Sequence, residues 1–333
     1  RRERRTTDGD KRAEGKANLE RSHYFSCNFL LEMPDSPSLQ DDKKASLGWR
    51  NLVHEIIKPF LARTQTEINY LSAYSCYPPP LFTIIITFIQ VSVFFYYFYK
   101  ETPEGSLGST CAGCFSPSGN ESGPLLFDPR RRREVWRFLS YSFLHLGVEH
   151  LLWNMVTQLI LGIPLELVHK AWRIGPLYLL AVLAGSLLHY ALSPANNLVG
   201  ASAGGYAFIT AHLANLVLNW NEMPLRYLRL VFISSFLASA GFSLYYGIVF
   251  TPCEKISHAG HIGGALVGFC FGVIILYNVT DRPWKLLLQK LCMGVLGLYF
   301  GAAISFAVLR EPNADPLLKE PSRCSHYPSI EKQ

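Results

Sequence analysis

The chain has 333 residues, 49% hydrophobic and 17% charged, with a formal net charge of +6. So apolar a composition, with charges so unevenly placed, excludes an ordinary soluble domain, and nothing in it calls for a nucleic-acid partner. Seven apolar runs of about 18 or more residues can each cross a hydrocarbon core of about 30 Å, and backbone in lipid must satisfy its hydrogen bonds within its own segment, so the expected fold is all-α and polytopic.

Residues 1–75 are polar and charged and read as a disordered cytosolic region. Within it, WRNLVHEIIKPFLART at 49–64 puts Leu52, Ile56 and Phe60 at helical spacing, as in an amphipathic helix lying on a membrane face. The YPPP run at Tyr77 closes this region. The expected spans are 81–99, 146–168, 175–192, 198–219, 228–250, 257–277 and 291–309, with a short tail over 311–333.

Lys170, Arg173, Arg226, Arg229, Arg282, Lys285 and Lys290 fall in connections on one side, which the positive-inside rule makes cytosolic. The run Arg130–Arg133 falls on the other side, in the first long loop, where charge has little say over translocation. That loop also holds the sequon NES at Asn120, a candidate N-glycosylation site, and CAGC at Cys111, read as a disulfide rather than a zinc or redox motif. The protein is therefore expected in a membrane of the secretory pathway, the plasma membrane by preference.

Polar groups inside spans are costly, so each is a candidate site. Three spans begin on the non-cytosolic side and carry their oddest residues near that end. They are HLGVEHLLWN with His145, His150 and Asn154, GASAGGY with Ser202, and SHAGHIGG with His258 and His261. A serine attacks only when a base takes its proton, and imidazole is the usual base at neutral pH. Ser202 and His261 are thus the candidate nucleophile and base. The Ser202 N–H at a helix N-terminus and the side chains of His150 and Asn154, four residues apart on one helix face, would stabilise an oxyanion.

Gly200, Gly204 and Gly205 around the serine are expected to leave room for a peptide. Gly260, Gly264, Gly268 and Gly272, every fourth residue, form a smooth stripe on which the fourth span, through Ala201, Gly205 and small neighbours, can pack closely. No aspartate lies near, so a dyad is expected rather than a triad. A metal centre built on the four histidines is the first rival reading, but HExxH is absent and no nearby carboxylate completes a ligand set.

These pieces, with WR at Trp136 and Arg137 and AGHIGGALVG in the sixth span, resemble the rhomboid intramembrane serine proteases. The seventh span is similar to their animal secretase-type branch. The resemblance implies a six-helix core plus a seventh helix over about 76–310, Ser202 as nucleophile, His261 as base, and His150 and Asn154 at the oxyanion. It implies that Tyr206 packs on the histidine and that Trp136, Arg137 and Glu166 support the fold, as the glycine stripe does through Gly264 and Gly268. It implies no cofactor. Its substrates would be single-span membrane proteins, growth-factor precursors among them, cut in or near the membrane to release ectodomains, with the fifth span as a moving gate. One position departs from the family pattern: Ala203, where glycine usually follows the serine, adds a methyl beside the expected oxyanion pocket. The second rival reading is a non-catalytic binder of client helices on the same scaffold.

Overall fold

A computed structural model of the chain describes residues 78–101, 123–194, 196–249 and 257–310. The proposed amphipathic helix at 49–64, the sequon at Asn120, Cys111, Cys114, Cys253 and the tail lie outside the described residues. Two units divide at Pro79, and the bundle lies in the second.

Its helices are α1 (Leu81–Glu101), the short α2 (Arg137–Ser140), α3 (Gly147–His169), α4 (Ala171–Leu192), α5 (Ser202–Leu218), α6 (Arg226–Val249), α7 (His258–Ile275) and α8 (Pro283–Leu309). Six of them, α1, α3, α4, α6, α7 and α8, are long and apolar enough to cross a membrane. The fourth expected span is a correction: its helix has 17 residues and begins at Ser202 rather than Leu198. Leu198 instead exchanges backbone hydrogen bonds with Phe127, and the Gly200 N–H donates to the Tyr141 carbonyl at 3.1 Å. Residues 198–201 therefore run non-helically from the loop into the bundle, with Gly200 at φ +107° and Ala201 turning the chain into α5.

Two other boundaries move. The chain turns between α3 and α4 on a single residue, Lys170, at φ 67°, so α4 starts four residues earlier than the apolar run. Helix α8 starts at Pro283, eight residues before the apolar run, because Lys285 in its first turn is buried and donates to the Asn278 side chain at 2.6 Å and the Thr280 carbonyl at 2.8 Å.

Helix α7 sits at the centre, packed on α4, α5 and α8. Helix α6 is the least buried span, with Ile233 buried and its other described side chains exposed or half-buried. Helix α8 is fastened to the bundle: the Tyr299 hydroxyl donates to the Ala184 carbonyl of α4 at 2.6 Å, and Arg132 of the loop caps the end of α8 at Ala307 and Val308.

Two of the expected support residues act across long sequence distances. Glu166 of α3 is buried, and its carboxylate accepts from the N–H groups of Phe82 and Thr83, both at 2.8 Å, and from the Thr83 hydroxyl at 2.7 Å. Those amides belong to the first turn of α1, whose N–H groups have no intrahelical acceptor and whose end attracts negative charge. Glu166→Ala would strand two buried donors and the half-buried Phe82 N–H, so unfolding in detergent should show a loss on the order of 3 kcal/mol, with Glu166→Gln losing less. Arg137 is buried and staples the loop by donating to Glu134 at 2.8 Å and to the Gly123 and Leu126 carbonyls. In return, the Arg137 hydrogen bond holds the Glu134 carboxyl below its usual range. Trp136 keeps an exposed ring and donates its indole N–H to the Pro124 carbonyl at 3.1 Å.

Candidate active site

Helices α5 and α7 cross with almost no side-chain volume between them. A Cβ on Gly264 would collide with the Ala203 backbone, and one on Gly268 with the Ala207 carbonyl and the Thr210 hydroxyl. The face of α5 that meets the stripe is therefore Ala203 and Ala207, small neighbours of the Ala201 and Gly205 singled out from the sequence. Thr210 adds a bond across the crossing, donating to the Ala265 carbonyl at 2.8 Å. Gly263, off the stripe, approaches the Ala184 carbonyl of α4.

That approach brings the two candidate reacting groups together: Ser202 Oγ lies 2.9 Å from His261 Nε2. The tyrosine one turn beyond the serine stacks on the imidazole, with ring centroids of Tyr206 and His261 4.2 Å apart and an interplanar angle of 18°. Ser202 is the first residue of α5, so its N–H and that of Ala203 have no acceptor within the helix and face outward as donors.

His150 and Asn154 lie on α3, as expected. The His150 Nδ1 accepts from the Leu146 N–H at 3.2 Å, which assigns the ring proton to Nε2. The Nε2 side of that ring faces the backbone of Gly200, two residues before the serine. The Asn154 amide gives one N–H to the His150 carbonyl at 2.8 Å and keeps a second. His145 lies buried edge-on to His150, ring centroids 5.4 Å apart, and burial pushes its imidazole down to about 3, so it stays uncharged.

Two of the glycines beside the serine, Gly200 and Gly204, do not leave the room for a peptide that their pattern suggested. Gly200 sits at φ +107°, a conformation glycine adopts without strain, and a Cβ there would come within 2.8 Å of the His150 ring. A Cβ on Gly204 would collide with the ring of Tyr178. Gly205 has a neighbour only at van der Waals distance, Thr157 at 3.9 Å. Two of the three glycines thus seat the site's own side chains. The Ala203 methyl is buried against Gly185 of α4, so the departure from glycine is absorbed at a helix junction rather than at the serine.

Three groups went unseen in the sequence. Gln90, Gln158 and Tyr178 form a buried network from α1 to α3 and α4. Gln158 donates to Gln90 at 2.9 Å and Gln90 to the Tyr178 hydroxyl at 2.9 Å, beneath Gly204. Glutamines in separate apolar runs carry no mutual signal until the helices are packed. Among the described residues, no three His, Cys, Asp or Glu side chains converge as metal ligands, and His258 stands edge-on to His261 at 6.2 Å.

The profile of the Rhomboid domain matches residues 132–278. The chain is 44% identical over 269 residues to Rhomboid-related protein 1 of Caenorhabditis elegans, covering 79% of this chain and 75% of that one. It is 38% identical over 262 residues to Rhomboid-related protein 2 of Mus musculus, covering 77% and 82%. It is also 34% identical over 244 residues to Inactive rhomboid-related protein 2 of Caenorhabditis elegans, covering 73% and 67%.

Proposed function

Because the chain belongs to the rhomboid family, we propose that it is an intramembrane serine endopeptidase working through a Ser202–His261 dyad. The observation that carries this reading is the 2.9 Å contact between the serine oxygen and the imidazole nitrogen. In the first step His261 Nε2 takes the Ser202 proton as Oγ bonds to the scissile carbonyl carbon. The carbonyl π electrons move to oxygen, to which the Ser202 N–H, the His150 ring N–H and the second Asn154 N–H would donate. Collapse breaks the C–N bond, and the imidazolium gives its proton to the leaving amine. Water, deprotonated by the same imidazole, then adds to the acyl carbon; collapse breaks the C–Oγ bond, Ser202 Oγ takes the proton back from His261, and the acid product leaves.

The substrates are single-span membrane proteins cut in or near the bilayer, with shed ectodomains as products and growth-factor precursors as a candidate class. The nearly bare α6 flank supports entry of a helix from the lipid side. The N-terminus is cytosolic and the site opens to the lumen or outside, in a secretory-pathway membrane. A client-binding role without catalysis has one observation in its favour, the relative whose name marks it inactive; the intact contact between serine and imidazole in this chain weighs against it.

Co-expression with tagged single-span proteins decides between the two. The wild type should release an ectodomain, Ser202→Ala should retain the substrate uncut, and equal release from both would defeat the proposal. Asn154→Ala should lower kcat about 10²-fold or more by removing one oxyanion donor. An unchanged kcat in a purified cleavage assay would take Asn154 out of that role.

A further inference from the structure

The catalytic imidazole is only as fixed as the first turn of α7, and that turn is held by Ser257. Its carbonyl accepts the His261 N–H at 3.2 Å, and its hydroxyl oxygen accepts the Gly260 N–H at 3.0 Å as the helix N-cap. The same oxygen lies 2.7 Å from Nδ1 of His189, in the last turn of α4. The other ring nitrogen, Nε2, lies 2.7 Å from the Asn196 carbonyl. A carbonyl can only accept, so Nε2 carries the proton and Nδ1 is bare. The Ser257 hydroxyl must then donate to Nδ1, which turns its lone pairs toward the Gly260 N–H. The ring is 2% exposed and stands edge-on to Phe127, with centroids 6.0 Å apart.

We propose that His189 is a positioning residue for the dyad, its singly protonated ring orienting the Ser257 hydroxyl as the cap that holds His261 over Ser202. The directed chain runs from Gly260 N–H to Ser257 hydroxyl to His189 to the Asn196 carbonyl, and every polar atom in it is satisfied. Without the imidazole the hydroxyl is free to turn its hydrogen elsewhere, the cap loosens, and the first turn of α7 frays at the residue next to the base. A misplacement of about 1 Å at a reacting group is enough for a loss of about 10²-fold. The inference rests on reading Ser202 and His261 as the dyad.

The test compares wild type, His189→Leu, His189→Gln and Ser257→Ala in detergent micelles by two readouts. One is amide hydrogen exchange over residues 258–262, which needs no activity. The other is kcat and KM for cleavage of a single-span substrate. A glutamine carboxamide presents one acceptor and one donor much as the ring does. His189→Leu and Ser257→Ala should exchange faster in that turn and lose about ten- to hundredfold in kcat at unchanged KM, while His189→Gln stays close to wild type in both. Unchanged exchange in His189→Leu would overturn the proposal. So would a His189→Gln variant as impaired as His189→Leu, since the hydrogen-bond pattern would then not matter. A wild type that cleaves nothing would defeat the protease reading instead, and the exchange comparison would still decide whether His189 sets the cap.

Discussion

Gly264→Leu is expected to abolish turnover and to lower the unfolding temperature, whereas Gly297→Leu on α8 should leave both near wild type. A side chain at Gly264 meets the backbone of Ala203, which cannot rotate aside as a side-chain tip can. Seating it requires α5 and α7 to separate, and overpacking of this kind costs about 1–3 kcal/mol even where the core can yield. Helix separation also pulls Ser202 Oγ from His261 Nε2, whose 2.9 Å contact has no slack. Gly297, like Gly294 and Gly301, has open space where a Cβ would stand. Thermal unfolding in micelles and a cleavage assay on the two variants check the contrast. Wild-type activity in Gly264→Leu would mean that the close crossing is not what joins the dyad.

Ser202→Ala and His261→Ala should each reduce kcat by about 10⁴ or more, and the double variant should be no worse than either. The serine oxygen and the imidazole act in one step, so losing either removes the same transition state and the second loss has nothing left to remove. Substrate association, read by co-purification, should survive in all three. Additive losses would indicate that the two side chains act in separate steps.

The pairing of Ser202 with His261 could be read from the sequence because both are rare residue types in apolar runs, whereas Tyr206 entered only through the family resemblance. Glu166 could be placed as a support, but not its partners, since Phe82 and Thr83 lie more than 80 residues away and offer two backbone amides and one hydroxyl, none of which stands out in an apolar run. The start of α5 was misjudged because hydropathy scores Leu198 and Val199 alike whether the backbone is coiled or extended. Gly200 and Gly204 were misread because a missing Cβ reveals that something comes close, not what; here it is His150 and Tyr178. His189 drew no attention because a single imidazole in an apolar run has no pattern until Ser257 and Asn196 are brought to it.

The non-helical strap of residues 198–201 leaves Ser202 no independent suspension. Phe127 grips it at Leu198 and Tyr141 at Gly200, so Ser202 hangs from the same loop that Arg137 staples. Exchanging that loop between relatives is therefore an operation on the reaction centre itself, and a chimera that keeps Phe127, Arg137 and Tyr141 retains the anchorage on which the serine depends.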